Sequence, residues 1–513
     1  MNTGMKVFLI GIDGAAFKVI NPLMAEGKLP ALKRLVDEGV HGNLKSTIPP
    51  LTPCAWTSLM TGKNPGKHGV YDFYHLDEEY NLRLNHYSKA SGDKIWDILS
   101  REGKKSCVVN VPFTYPPSPI NGIMVSGFTA PGLESQFTHP PELKDELLTE
   151  IPDFKLIEQS RYSDDDGEKD RFLKDLKSFV KTQYNAVKYL YDKDDWDFFM
   201  LNFLSADHAQ HWFWRHMDSR MDETFIKDET RYATAVEEVY VEIDKCVSGI
   251  LDCVGDETVV MVVSDHGFGP IKKNIVVNNW LRKKGYLSLK TRDASFLKKT
   301  LNRLGLTPKK IIDLGIKHKL GRFRGKKYFK FMNKFFSSIS FSFKDIDWSK
   351  TRAYAFGTYG GLFINLKGRQ QKGKIKKKTG YEETVNEIIN DLRELRDPED
   401  GEKIATTIWR KTQLYSGKHE DKMPDIIFSL KDFSYINSSM FAFVSNEIFT
   451  SSHTLSSGYH RLEGVFIVKG RGIREKQKIF DAEITDIAPT VLRILGSRSP
   501  KDMDGRVLHE IFQ

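Results

Sequence analysis

A chain of 513 residues, 40% hydrophobic and 28% charged, is long enough for one large α/β core with insertions or for two to three domains. It contains no apolar run of about 18 residues, which excludes a membrane-spanning helix, and no GxxxxGK[ST] loop, which argues against P-loop nucleotide chemistry. The net charge of +9 is uneven: Arg282 to Lys334 holds 18 Lys and Arg against 2 Asp, a balance of +16 that leaves −7 for the remainder.

In chain order, the first element is Val7-Phe-Leu-Ile-Gly-Ile-Asp13-Gly14, a short apolar run ending in a carboxylate and a glycine. A buried parallel strand delivers an acid to the C-terminal edge of a sheet in this way. The run has no small-residue cleavage site and reads as a core strand, not a signal peptide. Pro30 to Glu38 reads as a helix with its proline in the first turn and Gly39 behind its end. A strand at His41 to Ser46, the loop Ile48-Pro-Pro-Leu-Thr52 and a helix from Trp56 to Met60, stopped by Gly62, come next. Thr52 thus stands just before a helix start, where free N–H groups and the helix dipole favour an anion. His68, in the Gly- and Pro-rich turn after Asn64, is expected to bond backbone or solvent rather than a metal. Ile95 to Glu102 reads as a helix, Ser106 to Val111 and Ile123 to Ser126 as strands. The polar, helical stretch from Leu143 to about Tyr191 reads as an insertion or lid, and Asp164 to Asp166 within it as a solvated turn. The cysteines, Cys54, Cys107, Cys246 and Cys253, form no CxxC pair and are expected to be buried free thiols in a reducing compartment.

Asp197 to Leu204 is a second apolar strand, followed by Ser205-Ala-Asp207-His208-Ala-Gln-His211. A helix starting at Asp207 places Asp207 and His211 on one face, where carboxylate and imidazole suit zinc. After a long helix from Glu229 to Asp252, a third apolar strand, Thr258 to Ser264, ends in Asp265-His266-Gly267. One Asp after a strand is as well explained by a helix cap. Three, two of them with histidine nearby, fit a metal-ligand constellation better. The basic segment comes next: Phe296, Leu297, Leu301 and Leu304 alternate with Lys298, Lys299 and Arg303, and more Lys and Arg lie among Phe323, Tyr328, Phe331 and Phe335. It is compatible with a helical insertion packed on the core, with a surface that docks on an anionic bilayer, and least with nucleic acid. Arg352 to Phe356 and Gly361 to Asn365 read as a hairpin, Glu382 to Arg396 as a helix, and Ile404 to Trp409 and Asp425 to Leu430 as strands. A small-residue loop carries His453 and His460 ahead of the strand Gly464 to Val468, and Asp486 to Leu495 is a helix.

Asp13, Thr52, Asp207, His211, Asp265, His266 and His460 therefore form one candidate set. Mixed carboxylates and imidazoles suit zinc, manganese or iron. Two such ions about 3.5–4 Å apart could bracket a phosphoryl group. A threonine hydroxyl becomes a useful nucleophile at neutral pH when a cation lowers its pKa.

The chain resembles the alkaline phosphatase superfamily, in particular its type I phosphodiesterase/nucleotide pyrophosphatase branch and the related predicted phosphohydrolases and phosphomutases. The resemblance rests on Gly11-Ile-Asp13-Gly14, Pro49-Pro-Leu-Thr52-Pro-Cys-Ala-Trp-Thr-Ser58 with Thr61-Gly-Lys-Asn-Pro-Gly-Lys-His-Gly69, Asp207-x-x-x-His211, Ser264-Asp-His-Gly267, Gly458-Tyr-His460, and Asp486-Ile-Ala-Pro-Thr490 with Asp502-Met-Asp-Gly505. It implies a three-layer α/β/α sandwich with a mostly parallel sheet and helical insertions forming a cap. It implies that Thr52 is the nucleophile and is transiently phosphorylated. Asp207, His211 and His460 would hold one metal, and Asp13, Asp265 and His266, with Thr52, the other. Zinc is the usual metal of that branch and manganese serves some relatives. Such nucleotide pyrophosphatases carry an Asn that holds a phosphate oxygen; none stands close behind Thr52, and the position three residues on is Ala55. The sulfatase motif CxPxR is also missing around Thr52.

The expected organisation is 1–281 as the first part of the core, with an insertion at about 131–191, then 282–350 as a basic amphipathic insertion and 351–513 as the second part of the core. The expected function is metal-dependent cleavage of a phosphodiester or pyrophosphate bond through Thr52. Phosphomonoesterase or phosphomutase chemistry on the same site, and a non-catalytic protein that binds anionic surfaces, are the alternatives. The expected substrate is a small-molecule or lipid-linked phosphate ester. The expected location is the cytoplasm, with peripheral docking at the membrane inner face through 282–336.

Overall fold

The computed structural model describes residues 4–217, 231–290, 343–437, 447–450 and 456–513. Three apolar strands form its centre: Lys6–Ile12 lies between Phe198–Phe203 and Thr258–Val263 and runs parallel to both. On one side the sheet continues through Ser106–Val109, Gly122–Val125 and Thr138–His139. On the other it continues through Glu463–Lys469, Val40–Lys45 and Gln477–Lys478, with Ala482–Glu483 also paired to Val40–Lys45. Glu463–Lys469 is antiparallel to both of its neighbours and Thr138–His139 to Gly122–Val125; the other pairs are parallel.

The central strands are apolar throughout because helices cover both faces. Phe8, Ile10, Leu201 and Val262 share one buried cluster with the helices Phe17–Ala25, Pro30–Glu38, Asp166–Tyr191, Ser205–Met217 and Ala235–Cys253. Val7, Leu9, Met200 and Met261 share the other with Thr52–Thr61, Ile95–Arg101 and Ile487–Ile494. The architecture is the expected three-layer sandwich around a mostly parallel sheet.

Two regions differ from the sequence reading. The stretch 131–191 was expected to be an insertion or lid, but the helix Asp166–Tyr191 belongs to the sandwich. Phe172, Leu176, Val180, Val187 and Leu190 recur at helical spacing and are buried in the same cluster as Phe8. Most of its charges occupy the outer face, which made the stretch look external. The region 351–513 was expected to continue the core. Instead Ala353–Phe356, Gly361–Ile364, Ile426–Leu430 and Ala405–Arg410 form a separate antiparallel sheet in that order. With the helices Val277–Lys283 and Tyr381–Arg393 it buries its own cluster, including Trp280, Leu362, Ile388 and Phe428. The core sheet resumes at Glu463. Strand periodicity alone does not say which sheet a strand joins.

Cys54, Cys107 and Cys246 are buried, whereas Cys253, at the end of its helix, is exposed. Most of the basic segment (291–342) and His453 lie outside the described residues. Among the described residues no helix is long and apolar enough to cross a membrane.

Candidate active site

The three central strands are parallel, so the acids that follow them meet at one sheet edge. Asp13 follows Lys6–Ile12, Asp207 lies in the first turn of Ser205–Met217, and Asp265 follows Thr258–Val263. His266 joins them: its Nε2 lies 3.6 Å from Asp13 Oδ1, 3.3 Å from Asp265 Oδ2, 3.9 Å from Asp207 Oδ1 and 3.4 Å from Thr52 Oγ1. Asp207 and His211 share a helix face as expected, 3.5 Å apart. His460 arrives on a two-stranded ribbon, Gly267–Pro270 against Gly458–Arg461, with Phe268 opposite His460. Its Nε2 is 3.3 Å from Asp207 Oδ1 and 3.0 Å from His211 Nε2. All seven candidates thus meet in one cluster.

The ligand atoms are pre-oriented. Nδ1 of His211, His266 and His460 faces the carbonyl oxygens of Gly458 (2.9 Å), Gly267 (3.2 Å) and Pro50 (2.8 Å). With each Nδ1–H donating, each Nε2 turns a lone pair toward the cluster. Asp13 Oδ2 accepts from Trp56 Nε1 (2.9 Å) and Asn202 Nδ2 (3.3 Å), and Asp265 Oδ1 accepts from the Gly14 N–H (3.3 Å). Asp13 Oδ1, Asp207 Oδ1 and Asp265 Oδ2 are buried without a hydrogen-bond partner. Carboxyl oxygens without a hydrogen-bond partner, facing imidazole lone pairs, are a set that a cation satisfies. The ligand atoms fall into two groups that could each hold an ion, Asp13, Asp265 and His266, and Asp207, His266 and His460; within each group they lie within 4.8 Å of one another. His266 Nε2 is common to both, and His211 flanks the second.

The helix Thr52–Thr61 does two jobs. It begins at Thr52, earlier than the sequence suggests, and one turn later it supplies Trp56 to fix Asp13. Gly11 permits this approach, since a Cβ there would collide with Asn202 Oδ1 and Trp56 Cη2. The ribbon is held by Arg461, whose guanidinium donates to the carbonyl oxygens of Phe433, Tyr459 and Pro270.

Comparison with known proteins bears on what this cluster serves. The sequence matches the family described as Type I phosphodiesterase / nucleotide pyrophosphatase over residues 7–440. The chain belongs to that family. It is therefore a phosphoric ester hydrolase. In fold, this family member is similar to human ectonucleotide pyrophosphatase/phosphodiesterase 5, with a TM-score of 0.54 at 11% identity over 99% of this chain and 100% of that one. It is likewise similar to an inactive form of the murine protein in complex with AMP, with a TM-score of 0.53 at 11% identity over 99% and 100%. No curated protein sequence matches it.

The electrostatics of this phosphodiesterase-family site follow from burial. Burial, and then the charge of Asp207, pushes the Asp13 carboxyl up to about 7. Burial, and then Asp13 and Asp207, holds Asp265 well above the carboxylate range. Burial lowers His211 to about 4 and keeps His266 well below the usual imidazole range, so both are neutral and ligand-competent. A metal ion at the Asp13, Asp265 and His266 group must therefore displace protons from Asp13 and Asp265, whereas the neighbouring histidines offset burial and keep Asp207 below the usual carboxylate range. The expected sign is that binding releases protons and that apparent affinity falls as the pH drops through 7. Calorimetric metal titrations in buffers of different ionisation enthalpy read this release; an affinity independent of pH from about 6 to 8 would contradict it.

Other singled-out residues have other roles. His68 is buried with Nε2 2.9 Å from Ser58 Oγ, and its Nδ1 accepts from the Val70 N–H, away from the candidate ligand set. Asp165 caps its helix and Asp166 pairs with Lys169 and Arg231. In the C-terminal motif, Asp486 accepts from the Glu483 and Arg506 N–H groups and Asp504 from the Asn64 N–H, bracing the loop behind the Thr52 helix. His208 lies 3.9 Å from Asp207 Oδ2 and its Nδ1 is 2.5 Å from Glu158 Oε1. Burial lowers its pKa, but Glu158 more than offsets this and pushes it up to about 9. The sequence reading missed Trp56, Asn202 and Glu158. Trp56 could have been found from its position one helical turn after Thr52; nothing in the sequence links Asn202 or Glu158 to the site.

Proposed function

We propose that the protein hydrolyses a phosphodiester or pyrophosphate bond by double displacement through Thr52, with two divalent cations held by Asp13, Asp265 and His266 and by Asp207, His211 and His460. The observation that carries this reading is the convergence of three orphaned carboxylate oxygens and three imidazole nitrogens beside Thr52 Oγ1. Bound cations would lower the pKa of the threonine hydroxyl and offset charge on the phosphoryl oxygens. Thr52 Oγ forms the bond to phosphorus and loses its proton to solvent; the bond to the leaving alcohol breaks and that oxygen takes up a proton. Water then attacks the phosphothreonine, the bond from Thr52 Oγ to phosphorus breaks, and the phosphate monoester departs as the hydroxyl is restored. The N-terminus of Thr52–Thr61 is oriented to favour the anion throughout. Trp56 and Asn202 hold Asp13, and three backbone carbonyls hold the imidazoles, so the ligands need no reorganisation.

The mixed nitrogen and oxygen donors favour zinc for both ions, with manganese as the alternative. A nucleotide ester is the first substrate class to try, because a similarly folded protein was captured with AMP. Hydrolysis of bis(p-nitrophenyl) phosphate against p-nitrophenyl phosphate, with a chelated control, tests the reading. A chelator-sensitive preference for the diester is expected. A preference for the monoester would replace it with phosphatase or phosphomutase chemistry, and chelator-insensitive turnover would remove the metals.

The positive charge of 282–336 supports a cytoplasmic enzyme that docks on anionic membranes and reaches lipid-linked esters. Sedimentation with anionic vesicles should fall when 291–342 is deleted; equal sedimentation of both forms would remove that part.

A further inference from the structure

The core supplies no side-chain amide close behind Thr52 to hold a phosphoryl oxygen, and the antiparallel unit approaches the site with the turn that follows Ala353–Phe356. That turn is pinned to the core by Asp72, which is fully buried: Asp72 accepts the Thr358 N–H at 2.7 Å and the Thr358 hydroxyl at 3.2 Å. The next residue, Tyr359, is thereby laid against the ligand cluster. Its ring centroid is 6.2 Å from that of His460 and 5.3 Å from that of Tyr459. It shares an apolar cluster with Leu51 and Cys54, which bracket Thr52 in sequence. Tyr359 is 7% exposed, and its hydroxyl is buried without a hydrogen-bond partner. Leaving such a group unpaired is costly, and packing alone would avoid the cost by using phenylalanine. Asp207 and Asp265, one from each ligand group, are among the acidic groups near enough to act on it.

We propose that Tyr359 is a catalytic residue contributed by the antiparallel unit, its O–H donating to a non-bridging phosphoryl oxygen of the substrate held at Thr52. The proposal rests on the metal-assisted reading of the site and supplies the oxygen donor that Ala55 cannot. A fixed neutral donor aimed at an oxygen that gains charge stabilises the transition state more than the ground state.

The test is Tyr359→Phe in the full chain, which keeps the ring and its packing. Three quantities are read. For bis(p-nitrophenyl) phosphate with zinc-loaded protein, kcat should fall by about 10²-fold. Affinity for inorganic phosphate, measured by calorimetry on the zinc-loaded protein, should fall several-fold while bound zinc stays equal. The melting temperature of the metal-free variant should equal or exceed that of the wild type, because an unpaired polar group has been removed. A lower melting temperature would show that the hydroxyl has a structural partner and would overturn the proposal. Equal kcat with equal phosphate affinity would overturn it as well. If the wild type shows no chelator-sensitive turnover, the hydrolytic reading fails on its own, and the phosphate titration still decides Tyr359: weaker binding by the variant supports the contact, and equal binding or none by either form refutes it.

Discussion

Thr52→Ala is expected to lower kcat on a phosphodiester by about 10³-fold or more while leaving metal content and melting temperature unchanged. The separation of these effects follows from the surroundings of the side chain. Thr52 is the first residue of its helix rather than the cap, and its hydroxyl faces His266 Nε2 at 3.4 Å. The helix keeps its register through bonds that do not involve this hydroxyl, including Ala55 N–H to Leu51 O at 2.8 Å, and Trp56 continues to hold Asp13. The ligand oxygens and imidazoles are therefore undisturbed. Thr52→Ser, which retains the hydroxyl, should restore a large part of the activity. Wild-type turnover by Thr52→Ala would show that another group, or water, attacks phosphorus.

Asp265→Asn is expected to abolish binding at the Asp13, Asp265 and His266 group and to reduce turnover to a comparable degree. Its effect on stability should have opposite signs with and without metal. In the metal-free protein, Asp265 Oδ2 is buried and unpaired beside His266 Nε2 at 3.3 Å, and Asp13 and Asp207 are close enough to raise its pKa. An amide there is neutral at every pH, so it removes the cost of burying an ionisable carboxyl beside Asp13 and Asp207, and it can donate to the neutral imidazole while its oxygen accepts from the Gly14 N–H. The metal-free variant should therefore melt at or above the wild-type temperature. In the wild type a metal present at 100 times its Kd adds about 2.7 kcal/mol, and the variant should lose the share of that gain due to this group. Calorimetric melting with and without zinc, together with metal analysis, checks both signs. An unchanged metal-dependent rise would place the ion elsewhere.

How much could be read from the sequence depended on how local each signal is. The three core strands and their terminal acids were legible because a strand buried on both faces is apolar throughout and stops abruptly where it meets the site. Asp207 and His211 were legible because four residues on a helix define a face. His460 stood out only as a histidine in a small-residue loop, and its partners were not legible from the residues: it reaches His266 through the pairing of Gly458–Arg461 with Gly267–Pro270, a contact between segments nearly two hundred residues apart, and the family resemblance supplied its grouping with Asp207 and His211. The helix Asp166–Tyr191 was misread because its average polarity hid its buried stripe. The strands between Ala353 and Leu430 were found, but their sheet was not, because alternation records burial and not the partner. Tyr359 gave no signal at all: its place against His460 depends on Asp72 holding the adjacent Thr358, a bond across the two units.

The stereochemical course at phosphorus tests the double displacement most directly. Each in-line displacement inverts the phosphorus centre, so attack by Thr52 followed by attack by water restores its configuration. With a chiral phosphorothioate diester hydrolysed in isotopically labelled water, the account predicts net retention in the product. Net inversion would mean a single attack by water and would contradict the assignment of Thr52 as nucleophile, even with the metal ligands in place.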